Sequence, residues 1–105
     1  MSEHRWIRIA AAADCPPGTL LGVEPDGVKI VLANVDGTFY ALQDRCSHAN
    51  YPLSTGELDG TRLTCAYHGA RFDVCTGKAL QLPAIRPVPA FDVEVRDGEL
   101  YVAIP

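Results

Sequence analysis

Asp-Gly occurs four times in this chain of 105 residues, at Asp26-Gly27, Asp36-Gly37, Asp59-Gly60 and Asp97-Gly98. The dipeptide accepts the positive φ that tight hairpin turns require, so its recurrence predicts a succession of antiparallel strand pairs. The flanking segments agree. "VKIVLANV" and "TFYAL" bracket Asp36-Gly37 with β-branched and aromatic residues. Around Asp97-Gly98, Phe91, Val93 and Val95 alternate with Asp92, Glu94 and Arg96, and Leu100, Val102 and Ile104 continue the alternation. A period of two puts one face on a core and the other in water. Trp6, Ile7 and Ile9 predict an opening strand with Trp6 in the core. "CPPGTL" and "LPAIRPVPA" read as connections, because proline cannot sit in mid-sheet. The one helix candidate, Ala10 to Ala13 before Asp14, makes a single turn at most. The expected class is all-β, an antiparallel sandwich or small barrel.

The length suits one domain, residues 1–105. With 48% hydrophobic residues, the chain can bury a modest core without disulfides. A net charge of −4 argues against nucleic acid or an anionic membrane surface as partner, and is compatible with docking onto basic patches of other proteins. No apolar run approaches the ~18 residues that span a bilayer. The start, "MSEHRWIRIA", lacks the order of a signal peptide. The expected location is cytoplasmic, where cysteine serves as a ligand more often than as half of a disulfide.

Residues 44–80 differ from the rest. They hold three of the four cysteines and two of the three histidines, with strand patterns before and after. The stretch reads as a small lobe inserted into the β-framework. Its pattern is Cys46-x-His48, sixteen residues, then Cys65-x-x-His68. Two thiolates and two imidazoles suit either tetrahedral zinc or an iron–sulfur cluster. Finger-type zinc sites keep the cysteines in one half-site and the histidines in the other. Here each half-site supplies one of each, which suits two sulfide-bridged irons, one taking both cysteines and the other both histidines.

With these residues in view, the chain resembles Rieske-type [2Fe–2S] proteins, in particular the small soluble ferredoxins that serve bacterial ring-hydroxylating oxygenases. The matching residues are Cys46-Ser47-His48, Leu53, Gly56, Cys65, His68-Gly69, Phe72, Thr76-Gly77 and Pro83-Ala84. The resemblance implies an all-β Rieske fold whose cluster-binding lobe is residues 44–80. It implies one [2Fe–2S] cluster, with Cys46 and Cys65 on one iron and His48 and His68 on the outer iron. It also implies a carrier of single electrons from a flavin-dependent, NAD(P)H-oxidising ferredoxin reductase to a terminal aromatic ring-hydroxylating oxygenase. The small Rieske-like subunit of NADH-dependent nitrite reductase is an alternative within the fold. A structural Cys₂His₂ zinc module is the alternative of a different class.

The resemblance also bears on potential. High-potential members carry an additional cysteine in each loop, forming a disulfide; Tyr51 and Tyr67 stand at those positions. They also place Ser and Tyr hydroxyls against cluster sulfur, where this chain has Ala70 and Phe72, neither of which donates from its side chain. The expected potential therefore lies near the low end of the Rieske range. With His48 and His68 committed, only His4 remains, so an oxygenase's two-histidine, one-carboxylate iron site cannot be assembled. No G-x-G-x-x-G is present either. The chain reads as an electron carrier, not an enzyme. Its expected docking tip is apolar and weakly charged: Asn50, Tyr51, Pro52, Leu53, Ala66, Tyr67 and "LPAIRP". A monomer is expected. Cys15 and Cys75 read as partly buried space-filling thiols, His4 as a solvated residue, and Gly56, Gly69 and Gly77 as positive-φ positions.

Overall fold

The computed structural model describes residues 5–45, 51–66, 69–81 and 86–104. Eleven short strands make up this part of the chain: β1 Arg5–Ala11, β2 Leu20–Val23, β3 Ile30–Val35, β4 Thr38–Gln43, β5 Glu57–Asp59, β6 Arg62–Thr64, β7 Arg71–Asp73, β8 Ala79–Gln81, β9 Ala90–Phe91, β10 Val93–Arg96 and β11 Glu99–Ile104. They form three antiparallel sheets, in the orders β1-β11-β10, β2-β3-β4-β9 and β5-β6-β7-β8. Helical structure among the described residues is confined to single 3₁₀ turns, of which Ala12–Asp14 is the turn expected after the alanine run. The all-β expectation holds.

Each Asp-Gly marks a chain reversal, and two do so in the same way. Asp36-Gly37 and Asp97-Gly98 are two-residue loops with both residues at positive φ, the geometry that follows strand twist. At Asp59-Gly60 the loop has moved on by one residue, to Gly60-Thr61, because Asp59 still pairs with Arg62. Asp26-Gly27 lies in a 3₁₀ turn within the longer connection from β2 to β3.

Strand β3 organises the interior. Ile30, Val31, Leu32, Ala33 and Asn34 are all buried, so both faces of the strand are covered. Ile30 and Leu32 join Leu100, Val102 and Ile104 of β11 in one apolar cluster. Val31 and Ala33 point the other way, joining Leu42, Leu53, Leu63, Ala70 and Phe72 in a second. The β2-β3-β4-β9 sheet is thus a middle layer, between the terminal-strand sheet and the lobe sheet β5-β6-β7-β8. Each large aliphatic side chain so buried contributes about 1.5–3 kcal/mol relative to exposure. Asn34, the buried polar residue of β3, is satisfied: its amide donates to Cys15 O at 2.7 Å and its Oδ1 accepts from Gly37 N at 2.7 Å.

Two expected core positions are on the surface instead. Trp6 is 42% exposed. Ile7 and Ile9 take the inward positions of β1, which leaves Trp6 on the outer face, where the Arg96 guanidinium sits 5.7 Å from its ring and 4.6 Å from that of Tyr101. Val95 keeps its place in the alternation but lies on β10, an outer strand with a neighbour on one side only, and it is exposed.

Candidate cluster-binding site

The lobe sheet presents the second half-site at one end of β6. Cys65 follows that strand directly, is only 2% exposed, and its N–H donates to Ala70 O at 2.7 Å. That bond extends the pairing of β6 with β7, which runs antiparallel to it with Leu63 opposite Phe72. The thiol is therefore held at a fixed point, shielded by Leu63, Phe72 and Leu53 of the same cluster. A secluded, backbone-anchored thiol at the mouth of a short loop fits a cluster ligand. His68, three residues on, lies outside the described residues, as do Cys46, His48, Tyr67 and Pro83-Ala84.

The first half-site is described on both sides of residues 46–50. Its two flanks are fastened together by Asp44 and Ser54. Asp44 Oδ1 accepts from the Ser54 amide at 2.7 Å, and Oδ2 accepts from Ser54 Oγ at 2.6 Å. The Asp44 amide in turn donates to Lys29 O at 2.9 Å, tying the clasp to the middle sheet. Gly22 of β2 leaves the room. A Cβ there would lie 2.9 Å from Ser54 Oγ and 3.1 Å from Asp44 Oδ2. Sequence reasoning passed over all three residues, since nothing in their spacing marks a contact ten positions apart. Hydrogen bonds to a charged acceptor are each worth about 1.5–3 kcal/mol. Asp44→Ala should therefore lower stability by about 2 kcal/mol and Ser54→Ala by about 1–2 kcal/mol, with the double variant well short of their sum. Urea unfolding followed by visible absorbance and by far-ultraviolet circular dichroism measures this.

The glycines divide by cause. Gly69 and Gly77 have φ of 71° and 80°, as expected. Gly56 does not; its φ is −83°. It is required for space, because a Cβ would lie 2.1 Å from Thr64 O, the carbonyl just before Cys65. The first loop thereby rests directly on the backbone of the second half-site.

Ala70 and Phe72 are fully buried, so neither position offers a side-chain hydroxyl to the lobe interior. Leu53, expected at the docking tip, is fully buried too and belongs to the core. Tyr51 is exposed. Cys15 is a buried space-filling thiol, with its Sγ 3.6 Å from Thr19 O. Cys75, expected to be partly buried, is exposed: Asp73 Oδ1 accepts from its amide at 3.0 Å and holds it in the turn between β7 and β8. A hydrogen bond to Cys75 and the charge repulsion of Cys75 and Asp73 raise the Tyr40 phenol above its ordinary pKa, with some help from burial.

The domain is thus a terminal-strand sheet, a middle sheet and a small lobe sheet that ends in the buried Cys65, beside a loop whose flanks Asp44 and Ser54 clasp. The chain belongs to the Rieske [2Fe-2S] domain family, which it matches over residues 5–92. It is 41% identical over 99 residues to ferredoxin CarAc of Metapseudomonas resinovorans, spanning 93% of this chain and 92% of that protein. It is 44% identical over 100 residues to the 3-phenylpropionate/cinnamic acid dioxygenase ferredoxin subunit of Escherichia coli K12, spanning 94% and 93%. Among solved structures it superposes on the ferredoxin of carbazole 1,9a-dioxygenase from Nocardioides aromaticivorans IC177 with a TM-score of 0.91 at 32% identity, covering 95% of this chain and 98% of that one. It also matches a chain in a complex of reduced oxygenase and oxidised ferredoxin of carbazole 1,9a-dioxygenase, with a TM-score of 0.88 at 41% identity over 93% and 92% of the two chains. The protein is a Rieske-type ferredoxin, an electron carrier rather than an enzyme, and its cofactor is a [2Fe–2S] cluster. Family membership sets aside the zinc module, and the relatives named as ferredoxin components favour the ferredoxin over the nitrite reductase subunit. Among the described residues no helix is long and apolar enough to cross a membrane.

Proposed function

We propose that the chain, one Rieske domain over residues 1–105, is the low-potential ferredoxin of a ring-hydroxylating oxygenase system. It takes single electrons from a flavin-dependent, NAD(P)H-oxidising reductase and delivers them to a terminal oxygenase in the cytoplasm, as a monomer. In this reading Cys46 and Cys65 bind one iron, His48 and His68 bind the other, and the lobe is residues 44–80. The cluster accepts and releases one electron, and the chain does the rest. Cys65 is sheltered from solvent, the Asp44–Ser54 clasp closes the first loop at its neck, and Gly56 seats that loop on the strand before Cys65. The relatives that are ferredoxin components of dioxygenase systems support the assignment.

The observation that carries the low potential is the burial of Ala70 and Phe72 beside Cys65. Neither side chain can donate to a sulfur, so the reduced, more negative state lacks that stabilisation. Ala70→Ser supplies a hydroxyl. If it adds about 1 kcal/mol of preference for the reduced state, the midpoint rises by about 40 mV for one electron. Dye-mediated redox titration followed by EPR measures the shift. An unchanged midpoint in Ala70→Ser would remove this account of the potential. The carrier reading itself is tested by reduction with NADH through the reductase and reoxidation by the oxygenase. A chain that no reductase can reduce, or whose midpoint lies near the top of the Rieske range, is not this carrier.

A further inference from the structure

The charge of the whole chain and the charge beside its first cluster loop have opposite signs. Thirteen acidic and nine basic residues give a net −4, which by itself favours basic partner surfaces. Yet an open groove of about 540 Å³ is lined by Lys29, Arg45, Tyr51 and Pro52, beside the flanks of residues 46–50. A second groove shares Gln43 and Arg45 with it and continues to Arg86. Lys29, Arg45, Tyr51, Pro52 and Arg86 are all exposed. The carboxylate in the lining is that of Asp44, whose two oxygens both accept from Ser54.

The arginines of the terminal-strand sheet provide the contrast. Arg5, Arg8 and Arg96 each face a carboxylate, that of Asp26, Glu99 and Glu94 respectively, at 2.8–3.1 Å. Among the described residues Lys29 and Arg45 have no such ion pair. Positive charge is thus paired on the terminal-strand sheet and, among the described residues, unpaired at Lys29 and Arg45, as it also is at Arg62, Arg71 and Lys78 of the lobe sheet and its β7–β8 turn. Arg45 immediately precedes Cys46, and Tyr51 follows the loop, so the groove borders the segment of the proposed electron exit.

We propose that this groove is a docking surface for an acidic patch on a redox partner protein, Lys29 and Arg45 meeting its carboxylates and Tyr51 and Pro52 supplying apolar contact. The proposal rests on the carrier reading above. Redox encounters are brief and small in area, and a local field of the right sign accelerates and orients them even where the net charge repels. Because the field decays over a Debye length of about 8 Å at physiological salt, the charge nearest the exit outweighs the distant carboxylates.

The test is stopped-flow reoxidation of the dithionite-reduced protein by three probes at varied ionic strength: ferricyanide, a trianion; hexaammineruthenium(III), a trication; and cytochrome b5, an acidic one-electron acceptor protein. The proposal expects the ferricyanide and cytochrome b5 rates to fall at least ~3-fold from low to physiological salt, and the hexaammineruthenium rate not to fall. Lys29→Glu with Arg45→Glu should reverse the cytochrome b5 dependence. Arg8→Glu with Arg96→Glu, the same charge change on the outer sheet, should not. Lys29→Glu alone, which leaves the residue before Cys46 intact, should at least halve the dependence and keeps the test valid if the double variant loses its cluster. Rates with ferricyanide and cytochrome b5 that rise with salt overturn the proposal, as does a fall for ferricyanide alone, which would mark attraction of small anions without protein docking. If the reduced protein shows no Rieske EPR signal, the carrier reading fails first and the docking proposal with it.

Discussion

Cys65→Ala should yield a protein with no Rieske EPR signal, no reddish-brown colour and about half or less of the wild-type iron. The thiol is buried at the end of β6, with its amide committed to Ala70 O. Among the described residues no other thiol is placed to replace it: Cys75 is exposed in the β7–β8 turn, and Cys15 is buried in the other apolar cluster. Since the bound cluster contributes folding free energy, the variant should also unfold at lower urea. Cys75→Ala is the matched comparison and should keep full colour and iron. Iron analysis, visible circular dichroism and EPR after dithionite reduction report the outcome. Wild-type iron and spectrum in Cys65→Ala would show that the ligand set proposed here is wrong.

Gly77→Ala should cost more stability than any other single-methyl addition in the lobe, at least ~3 kcal/mol, because two penalties coincide. A Cβ would lie 2.0 Å from Val88 O, a backbone atom that cannot swing aside, and the residue is at φ +80°. The left-handed conformation alone costs an alanine about 1–2 kcal/mol. Moving the loop breaks further bonds, since Gly77 N donates to Asp73 O at 2.7 Å and Val88 N donates to Gly77 O at 2.8 Å. Gly60→Ala separates the terms: φ is +60° but the space is open, so only the conformational cost of about 1–2 kcal/mol should appear. Equal urea midpoints for the two variants would mean that the Val88 contact relaxes freely.

The legible parts of the fold were those encoded over a few neighbouring residues. Asp36-Gly37 and Asp97-Gly98 carry their turn type in their own φ preferences, and the alternation through Leu100, Val102 and Ile104 names its buried face. The continuous run at Ile30–Asn34 was readable as a strand, but its role as the layer between two cores depends on what covers it from both sides. Trp6 was misassigned for a related reason: a large apolar side chain looks like core until the stacked Arg96 is known. The proposed ligands Cys46, His48, Cys65 and His68 stand out by chemistry and spacing, whereas the residues that shape the described flanks of the two half-sites do not. Asp44 and Ser54 meet through a loop closure, and Gly56 is needed for an approach to Thr64 O that no local pattern announces. One residue of the expected docking tip misled: Leu53 is core, because the Asp44–Ser54 clasp and the apolar cluster draw it inward, whereas Lys29, which lines the groove beside Arg45, is far away in sequence.

The clasp between Asp44 and Ser54 bears on speed as well as on stability. An electron arriving at a metal centre changes its charge, and every group free to shift in response adds to the nuclear rearrangement that must precede transfer. Here the carboxylate is saturated by two donors from one residue, the neighbouring loop lies against the Thr64 carbonyl, and Leu53 is locked in apolar packing. These groups are already arranged before the electron comes, so they cost little reorganisation at the moment of transfer. Under the ligand assignment proposed above, a loop fastened at its neck is expected to lower the rearrangement that precedes electron transfer, in receiving and in giving alike.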